Sequence, residues 1–277
     1  MGNYVIKIDC SDATGLVYQI SNILFKSSLN IEKNSEFVDF ESGKFFFRAI
    51  VKGDFDKQTL LNELQEVLPK DSNITIKKQI PKNIIIMATK ESHCLGDILI
   101  KHYSGELNAN IKAVVANHED LGELTRKFDI PFFCLSADGM SRIEHEKKIL
   151  GVLSKFDIDF IILAKYMRIL SSDFVKEYVG RIINIHHSFL PAFIGANPYK
   201  QAYNRGVKII GATAHFVNDN LDEGPIIHQD IIRVNHEYSW REMSRAGRGV
   251  EKSVLNRAID LVFEDRIFVH NNKTVIF

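Results

Sequence analysis

The sequence predicts an α/β protein built as two consecutive units, a ferredoxin-like βαββαβ unit over residues 1–80 and a mostly parallel, Rossmann-like unit over residues 81–277. Three observations predict it. Strand-like and helix-like segments follow the order βαββαβ up to about Ile80. Beyond Pro81, short wholly apolar runs alternate with helical patterns, as in a parallel sheet covered on both faces. A length of 277 residues exceeds one ordinary domain and suits two.

In the first unit, Tyr4 to Asp9 reads as a strand and Cys10 to Gly15 as a polar turn. Leu16, Val17, Ile20, Ile23 and Leu24 then share one face at helical spacing. Asn30 to Phe40 is a second strand, and Glu41-Ser-Gly-Lys44 a hairpin turn. In the returning strand, Phe45 to Val51, the side chains of Phe45, Phe47 and Ala49 lie on one face and those of Phe46, Arg48 and Ile50 on the other. Asp56 opens a helix carrying Leu60, Leu61, Leu64 and Leu68. Asn73 to Lys78 closes the unit.

In the second unit, Asn83 to Ala88, Ile111 to Ala116, Pro131 to Leu135, Phe160 to Ala164 and Arg181 to His186 read as strands. Helical patterns cover Asp97 to His102, Ser141 to Phe156 (Ile143, Ile149, Leu150 and Leu153 inward) and Ser171 to Val179, where Ser171 or Ser172 can cap. Ligands of such sheets bind beyond the carboxyl ends of the strands.

Composition narrows the function classes. The formal net charge is zero, which speaks against a nucleic-acid partner. The three cysteines, Cys10, Cys94 and Cys134, are far apart and form no CxxC pair, so a disulfide framework or thiolate zinc site is not expected. No segment approaches the roughly 20 apolar residues that span a bilayer, and the start is strand-like rather than a leader. A reduced, cytoplasmic protein is expected.

The chemistry concentrates late in the chain, where five of the ten histidines lie between His186 and His236. Asn184 and His186 share a face at the carboxyl end of a strand. An amide donor beside an imidazole suits attack on a carbonyl, because the amide can hold a developing oxyanion and the imidazole can move a proton near neutral pH. Asp222, which precedes a Glu223-Gly224-Pro225 turn, can orient a histidine or hold water. Residue types alone leave other readings open: a strand-end Asn, a structural His, or a zinc site from His186, His187, His215, His228 and Asp222. Against zinc stand the missing H-E-x-x-H and the opposite faces of adjacent strand histidines.

Asn184-x-His186, then His215, then Asp222 is similar in order and context to the folate-dependent formyltransferase family. The resemblance implies that Asn184, His186 and Asp222 are catalytic and that His215 supports them. It implies that Met167, Arg168, Ile169 and Leu170 hold a pterin ring, with the loop from Asp219 to Asp222 as the opposite wall. The Asp12-x-x-Gly15-Leu16-Val17 turn makes residues 1–80 resemble an ACT domain, which implies a possible amino-acid effector or an oligomerisation role without a ligand, and a homo-oligomer. No cofactor and no metal are expected; the folate is the substrate.

Within that family, transformylases of glycinamide ribonucleotide grip a phosphate with a glycine-rich loop after the first strand. Here Thr89-Lys-Glu-Ser-His-Cys-Leu-Gly96 holds a single glycine and adds Glu91. Several segments instead resemble the formyltetrahydrofolate deformylase family: Ser92-His93-Cys94-Leu95, Asn117-His118, His186-His187-Ser-Phe-Leu-Pro-Ala-Phe193, Gly195-Ala196-x-Pro198-Tyr199, Gly206 to His215 and the closing Asn272 to Phe277. His187 stands where transformylases usually have Pro, and is read as a supporting residue. The resemblance implies hydrolysis of 10-formyltetrahydrofolate to tetrahydrofolate and formate, feeding one-carbon and purine metabolism. The alternative is a formyltransferase that passes the formyl group to an amine acceptor.

Overall fold

The computed structural model describes residues 2–192 and 197–277; Phe193, Gly195 and Ala196 of the motif segments lie outside them. The chain divides into two compact units, with Met1–Ile80 in the first and Pro81–Phe263 in the second. The expected boundary of 81–277 needs one correction. Glu264–Phe268 and Ile276–Phe277 belong to the first unit, while Val269–Val275 belongs to the second.

The first unit runs β1 (Gly2–Ser11), α1 (Leu16–Lys26), β2 (Asn30–Asp39), β3 (Lys44–Gly53), α2 (Lys57–Val67) and β4 (Asn73–Lys78). Its sheet has the order β2-β3-β1-β4 and is antiparallel throughout, the ferredoxin-like arrangement the element order predicts. Gly15, with φ 88°, adopts the left-handed conformation that opens α1. Asp56 caps α2 by accepting from the Thr59 N–H at 2.7 Å. Ile6, Ile8, Ile20, Leu24, Phe45, Phe47, Leu60 and Leu64 form the core.

Two details differ from the periodicity reading. Val17 is exposed and leaves Leu16, Ile20, Ile23 and Leu24 as the buried stripe of α1. The second face of β3 is also buried, because the returning C-terminal segment covers it. Phe46 meets Phe268 edge-on with ring centroids 5.4 Å apart. The Arg48 guanidinium donates to the carbonyls of Asp265 and Glu264 at 3.0 and 2.7 Å.

The second unit comprises β5 (Lys82–Ala88), α3 (Ser92–Tyr103), β6 (Ala109–Ala116), a 3-10 turn (Glu119–Leu121), α4 (Gly122–Arg126), β7 (Phe132–Cys134), α5 (Arg142–Leu153) and β8 (Phe160–Leu163). It continues with α6 (Ser172–Glu177), β9 (Ile182–His186), α7 (Pro198–Arg205), β10 (Ile209–Phe216), β11 (Ile226–Arg233) and α8 (Trp240–Phe263); the last strands are β12 (Ile267–His270) and β13 (Lys273–Ile276). The seven-stranded sheet has the order β11-β10-β9-β8-β5-β6-β7. Strands β5 to β9 pair in parallel, and β10 and β11 add an antiparallel edge.

Strand order reverses at β5, with β6 on one side and β8 on the other, so the carboxyl ends of these strands frame the crevice where such sheets bind ligands. The near-continuous burial of β5 and β6 follows from helices covering both faces. In α5 the inward residues are His145, Glu146, Ile149, Val152 and Leu153, and Ile143 is 63% exposed. The Ser141–Glu144 capping box fixes where that helix starts and thereby rotates Ile143 outward. Among the described residues, no helix is long and apolar enough to cross a membrane.

Candidate active site

The site begins with strand register. β9 and β10 pair antiparallel with Asn184 opposite His215 and His186 opposite Thr213. Residues directly opposite share a face, so the four side chains stand together. Asn184 Nδ2 lies 3.1 Å from His215 Nε2. The other ring nitrogen, His215 Nδ1, lies 2.8 Å from the Phe216 carbonyl oxygen. A carbonyl only accepts, so Nδ1 carries the proton of the neutral ring and Nε2 accepts from the Asn184 amide.

Asp222 arrives from the loop joining β10 to β11. A bulge between Ala214 and His215 shifts the register of that edge, which re-aims the strand end. Phe216 N–H donates to the Pro225 carbonyl at 2.9 Å and closes the loop base. A Cβ on Gly224 would fall 1.7 Å from the Phe216 oxygen, so only glycine permits this approach. Asp222 itself sits at φ 58°, a left-handed conformation that Asp tolerates better than most residues.

There Asp222 Oδ2 is 3.2 Å from His186 Nδ1, and Oδ1 is 3.7 Å from His215 Nε2. Burial opposes ionisation of Asp222, but its contacts with His186 and His215, His186 first, outweigh it and hold the carboxyl well below the usual range. His186 Nε2 is buried with no hydrogen-bond partner among the described residues. An unsatisfied buried nitrogen costs on the order of 1–3 kcal/mol. In a cavity wall, it is a position prepared for a ligand.

These groups line a cavity of about 370 Å³, walled by Lys165 to Leu170 on one side and Val217 to Asp222 on the other. The residues expected to be catalytic, supporting or folate-binding all line it: Asn184, His186, His187, His215, Asp222, Met167, Arg168, Ile169, Leu170 and Asp219; His228, offered as a zinc ligand, does not. Thr89 Oγ1 accepts from the Met167 N–H at 2.9 Å, and Glu146 accepts from the Ser171 N–H at 2.7 Å. The two bonds pin the ends of the Met167–Leu170 segment. His187 also lines the cavity, its ring centroid 5.5 Å from that of His186. Burial, followed by the charge of Lys165, pushes the His187 imidazole down to about 4, so it is neutral at pH 7.

Sequence reasoning missed a second cluster beside this group. Glu251 of α8 is 1% exposed and lies 3.2 Å from the ammonium of Lys165, itself 4% exposed. Tyr199 O–H donates to Glu251 Oε1 at 2.6 Å, and His93 Nε2 lies 2.8 Å from Oε2. Burial opposes ionisation of Glu251, yet His93, Lys165 and Tyr199 bring it down to about 2. A signal existed: Gly247, Val250, Glu251 and Val254 fall on one helical face, and a carboxylate in an apolar stripe demands a partner.

Among the described residues, the side chains that gather within metal-ligating reach are His93, Cys94 and Glu251, not His186, His187, His215 and His228. They fit a metal poorly. Burial pushes the Cys94 thiol well above its usual range, whereas a ligand must be thiolate, and both Glu251 oxygens are already engaged.

The fold is that of the formyl transferase family, whose profile matches residues 82–259. A formyltetrahydrofolate deformylase of Haemophilus influenzae is 53% identical over 272 residues, covering 98% of each chain. The crystal structure of a formyltetrahydrofolate deformylase from Pseudomonas syringae superposes with a TM-score of 0.95 at 39% identity, over 100% of this chain and 95% of that one. A glycinamide ribonucleotide transformylase from Symbiobacterium toebii superposes with a TM-score of 0.69 at 27% identity, over 74% of this chain and 98% of that one. The chain belongs to the formyltetrahydrofolate deformylase family.

Proposed function

We propose that the chain hydrolyses 10-formyltetrahydrofolate to tetrahydrofolate and formate, with Asn184, His186 and Asp222 as the catalytic residues. The observation that carries the reading is the convergence of these three side chains on one cavity in a member of the deformylase family. The cavity wall from Met167 to Leu170 includes Met167 and Ile169 with exposed apolar side chains, a surface suited to a flat pterin ring.

Water attacks the formyl carbon, and a C–O bond forms as the carbonyl becomes an oxyanion. The Asn184 amide and protonated His186 stabilise that charge. Asp222 accepts the His186 Nδ1 proton in a hydrogen bond, orients the ring and helps hold the water. The C–N10 bond then breaks, one proton of the water passes to N10, and formic acid loses its remaining proton to solvent. The decisive experiment mixes the protein with 10-formyltetrahydrofolate without any amine. Tetrahydrofolate and formate should form in equal amounts, and Asp222→Ala should abolish both; no turnover until an amine is supplied would overturn the reading.

We infer that residues 1–80 are an ACT-type regulatory or oligomerisation module. The β2-β3-β1-β4 sheet order and the left-handed Gly15 before α1 support this. Light scattering should give a mass above one chain, and calorimetric titration with single amino acids tests for an effector.

A further inference from the structure

A strongly buried ion pair adjoins the cavity without belonging to the catalytic group. Lys165 follows β8 at the carboxyl edge of the sheet, held at φ 62° in the left-handed region. Its side chain lines the cavity and ends 3.2 Å from Glu251 Oε2. Tyr199 and His93 take up the rest of the Glu251 carboxylate. Tyr199 is built against α8, since a Cβ on Gly247 would fall 2.1 Å from its hydroxyl oxygen.

We propose that the Lys165–Glu251 ion pair is the specificity determinant that makes water, rather than an amine, the acceptor of the formyl group. The proposal rests on the hydrolytic reading above. An amine in neutral water is mostly a cation, and a free carboxylate in the wall would collect it beside the formyl carbon. Here the buried carboxylate is occupied by an ammonium that the chain supplies itself. The pair is neutral as a whole, so this part of the wall offers an external ammonium no unpaired carboxylate, and neutral water is unaffected.

At the head of α3, Glu91 lies 3.4 Å from His93 Nδ1 and 3.6 Å from Arg248 Nε, so that carboxylate is engaged as well. The pair also protects Lys165. Released from Glu251, the amine of this cavity-lining lysine would be a nucleophile able to compete for the formyl carbon. Its nitrogen would bond to the formyl carbon, the C–N10 bond would break, and its proton would pass to N10. Nε-formyllysine and tetrahydrofolate would result. Binding to Glu251 engages that nitrogen 3.2 Å from a carboxylate oxygen and so holds it away from reaction.

The test uses the full chain, substrate carrying a ¹³C-labelled formyl group, and ethylamine as the probe. Wild type should release labelled formate and no N-ethylformamide at any ethylamine concentration. Lys165→Ala should raise the N-ethylformamide formed per formate by at least about tenfold, within reach of one side chain that discriminates between substrates. Lys165→Ala/Glu251→Gln should lose that gain, because the carboxylate that collects the cation is gone. Glu251→Gln alone should become formylated on Lys165, read by peptide mass.

Hydrolysis by Lys165→Ala without N-ethylformamide, or a hydrolysing Glu251→Gln with unmodified Lys165, overturns the proposal. Loss of fold or of all turnover in both single variants also overturns it, because the pair would then serve stability or hydrolysis itself. Wild type that makes no formate without amine overturns the hydrolytic reading instead.

Discussion

Asn184 and His215 stand opposite each other across β9 and β10, and the amide nitrogen of one lies 3.1 Å from the ring nitrogen of the other. The His215 ring is fixed in turn by the Phe216 carbonyl, so a single strand register orients the oxyanion donor. Asn184→Ala should therefore lower kcat by about 10²–10³ with little change in KM, as removal of one preorganised oxyanion donor does. His215→Ala should give a smaller loss, and His215→Gln should recover part of it by accepting from the same amide. Steady-state kinetics on the three variants check this; a normal kcat in Asn184→Ala removes it from the mechanism.

Asp222→Asn keeps the size of the side chain and deletes the charge. His186 then loses the carboxylate that holds its Nδ1, and kcat should fall by roughly 10²–10⁴, the span of a proton-transfer group. The carboxyl lies below the usual range in the fold, so protonation of Asp222 sets no limb of the activity profile near neutral pH. Its contribution to stability is complete above the unfolded value near 4 and is lost as pH falls towards the lower folded value. Kinetics between pH 5 and 8 and acid unfolding of wild type and variant test both halves.

His187 titrates at about 4 in the fold and near 6.5 in an unfolded chain. Between those values the unfolded state binds more protons, so stability rises with pH across that window. His187→Phe should flatten the rise in thermal midpoint between about pH 4 and 6.5. NMR of the ring should show a neutral imidazole at pH 6. A ring charged at that pH contradicts the burial described above.

The sequence announced whichever parts are written in local pattern. The β5 run, the Asn184-x-His186 spacing and the capping Ser171 are local, and each stands in the structure at its expected place. From α7 to β13 the local pattern marks no element, although α8 alone runs from Trp240 to Phe263. Long-range placement was not legible either. Glu251 meets Lys165, His93 and Tyr199 only because α3, α7, α8 and the β8 end converge. Arg48 reads as the polar face of a strand until Glu264 and Asp265 return to cover it.

Gly224 carries the last prediction, and it separates shape from chemistry. The residue bears no functional group, yet its backbone approaches Phe216 so closely that a methyl group would stand 1.7 Å from the carbonyl oxygen and 3.3 Å from His215 Nδ1. Backbone cannot yield as a flexible side chain does, so Gly224→Ala must move the loop that carries Asp222. A displacement near 1 Å is enough to cost about 10² in rate when a catalytic group is misplaced. Gly224→Ala should accordingly lose at least that much kcat although Asn184, His186 and Asp222 all remain. Gly249 serves as the control, because a Cβ there meets nothing within 4 Å and lies on an exposed helix face; Gly249→Ala should keep wild-type turnover. Equal activity in the two variants would show that the loop tolerates displacement and that the close approach at Phe216 does not set the position of Asp222.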